Sequence, residues 1–113
     1  MLERFKESDL YIKIKTNANK QNSHLTDEEW HELAERIDEV YDNFTHRLFV
    51  LTDLSDIELK TCYLLKLGLP PVSIANILCK GRGAITMLRQ RLYKKITNRT
   101  GSAKDFDDIL MNL

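Results

Sequence analysis

The chain has 113 residues, 42% hydrophobic and 30% charged, with 17 Lys and Arg against 17 Asp and Glu. That length fits one domain with a modest core and leaves no room for a large separate catalytic domain. The composition is too apolar for a disordered chain. No apolar run approaches the roughly 20 residues of a membrane helix, and the N-terminal MLERFKESDL is charged too early for a secretory leader.

Only four Gly and two Pro interrupt the chain, so an all-α fold is expected. Residues 1–20 read as a separate N-terminal segment, the end of an upstream helix or a linker, and residues 25–113 as one helical domain. Within the first segment, Leu10 to Lys15 partly alternates like a strand, but Leu10, Ile14 and Ala18 share a helical face. Nothing else in the chain offers a strand partner, so helix is expected. The polar, Asn-rich stretch from Thr16 to His24 reads as a loop. Thr26-Asp27-Glu28-Glu29 is a capping box, with acids suited to the positive end of a helix dipole. Trp30, Leu33, Ile37, Val40, Tyr41 and Phe44 follow as one apolar stripe. Asp42-Asn43 is placed to end that helix and cap another carrying Phe44, Leu48, Phe49 and Leu51. Such a stripe is core or a seam to a partner helix.

A second capping box, Ser55 to Glu58, opens a helix that is apolar nearly all round and therefore buried, closed by Gly68. Pro70-Pro71 starts the next helix, about 71–79, with Ile74, Ala75, Ile77 and Leu78 on its apolar face. A short turn containing Gly81 leads to a longer helix, about 83–97, whose inward face is Ala84, Ile85, Leu88, Leu92 and Ile96. Gly101 stops the chain again, and Ser102 caps a last helix carrying Phe106, Ile109 and Leu110.

The charges fall in blocks. Residues 21–58 hold eleven acids and two bases, while residues 59–104 hold ten bases and no carboxylate. Either the blocks neutralise each other within the fold, or the basic block meets an anionic partner. The two are compatible if only one face of the basic block is buried. An anionic partner would require the acidic helix to sit away from the Arg82–Lys95 face.

Residues 54–97 have the form of a helix-turn-helix: a scaffold helix of about two turns, a tight turn, then a longer basic recognition helix. Arg82 can pair bidentately with guanine and Gln90 with adenine, and Thr86 and Met87 can pack on a thymine methyl. Arg89, Arg91, Lys94 and Lys95 suit phosphates. The expected partner is double-stranded DNA. A two-fold DNA site requires a homodimer, for which the aromatic stripe of residues 30–51 offers a surface.

This stretch resembles the C-terminal DNA-binding domain of LuxR/GerE-type response regulators, of the winged-helix-like class. Leu54-Ser55, Glu58, Gly68, Ile74-Ala75 and Arg91-Leu92-Tyr93-Lys94-Lys95-Ile96 match that pattern. It is most similar to the versions that end sensor-like regulators of Bacteroides. These also carry a capped acidic helix before the motif, as in Thr26 to Phe44, and a tail like Gly101-Ser102-Ala103-Lys104-Asp105-Phe106-Asp107. The likeness covers roughly residues 25–110. Sigma-factor region 4 is a more distant match. Two cysteines that form no disulfide framework make a reducing cytoplasm the expected compartment. The resemblance implies a transcription regulator or its output domain. It also implies that Thr86, Met87 and Gln90 face bases and that Lys94 and Lys95 lie near phosphates, with Met1 the start of a fragment of a longer sensor. Lys80-Gly81-Arg82-Gly83-Ala84 departs from the usual Ser/Thr-rich start of the recognition helix, and Pro70-Pro71 stands where polar caps are usual. Those departures mean that sequence preference is not inherited, and the glycines among them, with the neutral total charge, favour the alternative, a protein-interaction module that keeps the shape without binding DNA.

No enzyme is expected. His24, His31 and His46 lack metal-ligand spacing with each other or with Cys62 and Cys79. Cys62 reads as buried packing, and Cys79 lies near an exposed turn among cations. Lys80 to Gly83 lacks the frame of a phosphate loop. No cofactor, metal, small-molecule substrate or membrane contact is expected.

Overall fold

A computed structural model describes residues 2–18 and 24–113. It is all-α. The described helices are α1 (Leu2–Lys6), α2 (Asp9–Asn17), α3 (Asp27–Val40), α4 (Phe44–Leu51), α5 (Asp56–Lys66), α6 (Pro71–Leu78), α7 (Arg82–Thr97) and α8 (Ala103–Met111), with no strand among the described residues. No described helix is long and apolar enough to cross a membrane.

The N-terminal segment is not a trailing piece. Phe5, Leu10, Ile14 and Ala18 are buried in the same core as the later helices. Asn76 Nδ2 donates to the Ala18 carbonyl at 2.9 Å, and Lys13 pairs with Glu29. The helical spacing of Leu10, Ile14 and Ala18 supplies one narrow apolar edge, enough to dock a short helix. The segment also breaks in two at Ser8, whose hydroxyl caps α2 by accepting from Tyr11 N–H. Thr16 is helical, so the expected loop begins later. Residues 19–23 of that loop lie outside the described residues.

Both capping boxes close as the sequence predicts, each with its reciprocal bond, at Thr26/Glu29 and Ser55/Glu58, and a third forms at Ser102/Asp105. The break at Asp42-Asn43 forms too, with both residues at positive φ. Asn43 does not cap α4 with its side chain. Asp38, one turn back on α3, fills that role instead: its Oδ1 accepts from Thr45 N–H and from the Thr45 hydroxyl, both at 2.8 Å. Along α4, Phe44 and Leu48 are buried, whereas Phe49 and Leu51 are exposed together with Val50. The expected stripe is thus core only on the side facing α3 and α5.

The all-round apolar α5 is the axis of the molecule. Thr61 through Lys66 are all buried, and α3, α6, α7 and α8 all pack against this helix. Cys62 is fully buried, and desolvation pushes its thiol up to about 12, so it is packing rather than a nucleophile. Gly68 has φ +87°, the left-handed conformation its C′ position requires. Lys66 is the exception to the apolar rule. Its ammonium donates to the Leu110 and Met111 carbonyls, 3.3 Å each, at the negative end of α8, and sits over the Tyr41 and Phe44 rings. Burial, and then the charge of Arg47, lower its pKa.

Glu58 carries a pH dependence. Burial works to raise its pKa, but the Ser55 N–H and Lys95 outweigh burial and hold the carboxyl below the usual range. A carboxylate with a depressed folded pKa contributes stability that is present above about pH 4.5, its unperturbed value, and is lost as pH falls through the folded value. Glu58→Gln, which keeps an oxygen for the Ser55 N–H and removes the charge facing Lys95, should therefore cost up to about 1 kcal/mol at pH 7, the scale of a partly exposed ion pair. The gap from wild type should narrow below pH 4.5. Urea denaturation at pH 7 and in mild acid reads both effects. A gap that stays constant with pH would show that the Glu58 charge contributes nothing.

Candidate nucleic-acid interface

The α6–turn–α7 unit is built from local signals. Pro70 and Pro71 start α6, and its Ile74, Ala75 and Ile77 are buried. The helix ends where Cys79 takes φ +56° and Lys80 N–H bonds back to the Ala75 carbonyl at 2.9 Å, a Schellman-type closure. That closure ends α6 at Leu78, one residue earlier than the spacing predicts, and α7 starts one residue earlier, at Arg82. Ile85, Leu88 and Leu92 of α7 face the core, and the helix packs against α8, α6 and α5.

The expected inward face needs two corrections. Ala84 is exposed, not inward. Arg89, expected at a phosphate, is buried with 6% of its surface exposed. Its Nε donates to Asp107 Oδ1 at 3.0 Å and its Nη2 to Asp107 Oδ2, a fork-to-fork pair that ties α7 to α8. Arg89 is thereby removed from the set of surface cations.

The remaining predicted residues are exposed or half-buried, and four of them line one groove. Met87 is 58% exposed. Arg82, Gln90, Arg91 and Lys94 are exposed as well, and Thr86 is half-buried with its hydroxyl donating to the Arg82 carbonyl. Met87, Gln90, Arg91 and Lys94 line one groove of about 300 Å³, closed on its other side by Thr100 and Gly101. A larger groove of about 660 Å³ shares Arg91 and Lys94 with the first and runs beside the start of α5, with Ile57, Leu88 and Lys95 also in its lining. Lys95 is exposed but engaged, donating to the Asp53 carbonyl at 2.7 Å and to Glu58 at 3.3 Å.

Electrostatically, the basic block divides in two. Lys60 pairs with Asp56, Arg89 with Asp107 and Lys95 with Glu58, while Lys66 is buried against carbonyls and rings. Lys80, Arg82, Arg91, Lys94, Arg99 and Lys104 are exposed and have no carboxylate partner among the described residues. The acidic helix α3 packs on α4 and α5. Among its carboxylates, Glu29 pairs with Lys13, Glu39 with Arg36 and Glu35 with His31, and Asp38 accepts from Thr45. The carboxylates paired with α7 itself, Glu58 and Asp107, are those that neutralise Lys95 and Arg89.

Asp107 and Gly101 are the site-shaping residues that spacing alone does not reveal. A Cβ on Gly101 would stand 2.3 Å from Cε1 of Tyr93, so only glycine lets the loop after α7 lie against that ring. No group of His, Cys, Asp and Glu able to hold a metal occurs among the described residues. Comparison with protein-family models, curated proteins and solved structures finds no match to this chain.

Proposed function

We propose that the protein is a DNA-binding regulator or its output domain, with α6–turn–α7 acting as a helix-turn-helix and α7 docking in the major groove of double-stranded DNA. The observation that carries this reading is the set of six exposed cations, without a carboxylate partner among the described residues, from the turn before α7 to the first turn of α8, together with an exposed Met87 and Gln90. Arg82 sits in the first turn of α7, where the helix dipole disfavours a cation. A phosphate at that end would reverse the sign of the cost. Gly81 and Gly83, the departures from the resembling family, have no neighbour within 4 Å of where a Cβ would stand. They leave the backbone there open to close approach by a ligand.

On this reading Arg82, Arg91 and Lys94 hold phosphates or guanine edges, and Met87 and Gln90 discriminate bases. Wild-type protein should bind random duplex at low salt and weaken steeply as salt rises. Met87→Ala and Gln90→Ala should change the sequences enriched from a random duplex pool, each by about 1–3 kcal/mol of discrimination at its own base pair. Equal loss on every sequence would remove the base-reading assignment. The alternative, a protein-interaction module, draws on the groove with Ile57 and Leu88 in its lining. Failure of the wild type to bind any duplex at low salt would select it.

A further inference from the structure

The loop that follows α7 is pinned in place along its whole length. Asn98 turns the chain at φ +58°. Thr97 Oγ1 accepts from Arg99 N–H at 3.1 Å while donating to the Tyr93 carbonyl at 2.8 Å. Gly101 lies against the Tyr93 ring, and the Ser102/Asp105 box fixes the entry to α8. A loop held at this many points presents its side chains with little further loss of ordering entropy on binding.

Its position gives that rigidity a use. Thr100 and Gly101 form the second wall of the groove whose first wall is Met87, Gln90, Arg91 and Lys94. Arg99 and Thr100 are exposed, and Arg99 has no carboxylate partner among the described residues. Lys104 is exposed at the second residue of α8, inside the first turn, where a cation opposes the helix dipole. Arg99 and Lys104 flank in the chain the Thr100–Gly101 segment that lines the groove, without a carboxylate partner among the described residues, and such cations, one of them placed against the local dipole, are suited to an anion that arrives from outside.

We propose that the Asn98–Gly101 loop and the start of α8 form a second phosphate-contacting wall of the DNA interface, in which Arg99 and Lys104 engage the backbone of the strand bordering the groove beside α7. Thr100 adds a hydroxyl donor on the same wall. This inference rests on the DNA reading of α7 and extends the interface beyond the recognition helix, to residues that carry no base information. Their contribution is uniform over sequences and electrostatic.

The test is fluorescence anisotropy of the full chain with a labelled duplex over a salt series, for wild type, Arg99→Ala/Lys104→Ala, and Lys6→Ala/Lys15→Ala as a control for net charge. Thermal melts of the loop variant should match wild type, since neither side chain has an ion-pair partner to lose. The loop variant should bind every duplex about tenfold more weakly at moderate salt, and the slope of log K against log salt should fall by about two. The Lys6/Lys15 control should leave that slope unchanged. A loop variant with wild-type slope and affinity, or a control that loses as much, overturns the second wall while leaving the α7 reading intact. Absence of wild-type binding at low salt overturns the α7 reading itself.

Discussion

Asp107→Ala is expected to destabilise the protein by roughly 2–4 kcal/mol, because it leaves the Arg89 guanidinium buried without its counterion. Breaking a buried pair typically costs roughly 3–5 kcal/mol. The lower range reflects the geometry: the Arg89 side chain is 8% exposed, but that of Asp107 is 26% exposed, so water relieves part of the loss. Replacing both partners by apolar residues, Arg89→Met with Asp107→Leu, should bring stability back to within about 1 kcal/mol of wild type, since no charge is then stranded. Chemical denaturation of Arg89→Met, Asp107→Leu and the double variant closes the cycle, and the coupling should be large because the groups share two hydrogen bonds. The double variant also tests the placement of Arg89. If the pair only ties α7 to α8, the variant should keep the salt slope of DNA binding. A drop of about one in that slope would return Arg89 to the phosphate-binding set.

That pair shows where sequence reading reaches and where it stops. The capping boxes at Thr26 and Ser55, the stop at Gly68 and the proline start of α6 are local codes. Each is written within four residues and each is found as read. The Arg89–Asp107 pair spans two helices and eighteen residues. On the sequence Arg89 is one of several similar cations, and helical spacing alone does not distinguish it from Arg91. Burial separates them, and burial depends on α8 covering one flank of α7 and not the other. The same limit explains α4. Phe49 and Leu51 extend an apolar run that spacing assigns to the stripe, yet the elbow at Asp42-Asn43 turns α4 so that only Phe44 and Leu48 face the core. Net charge hid the most: a balanced total conceals a basic block that is partly neutralised from within, and only the pairings reveal which cations remain.

Those remaining cations set the second large expectation. On the proposed DNA reading, Arg91→Ala/Lys94→Ala should weaken binding to any duplex on the order of 10- to 100-fold at moderate salt and lower the salt slope by about two, one for each phosphate no longer neutralised. Lys95→Ala, adjacent in sequence and of the same charge, should do much less to DNA binding. Its ammonium already donates to Glu58 and the Asp53 carbonyl, so a phosphate would have to displace both. Its removal should instead appear in the thermal melt, where Glu58 loses part of what holds its carboxylate ionised. Anisotropy over a salt series beside a melting curve separates the two classes of lysine. If Lys94→Ala alone changed the salt slope no more than Lys95→Ala, α7 would attract DNA through its summed field rather than through seated phosphates. The geometry predicts the unequal result, because these neighbours on one helix differ chiefly in whether an acid of this chain reaches them first.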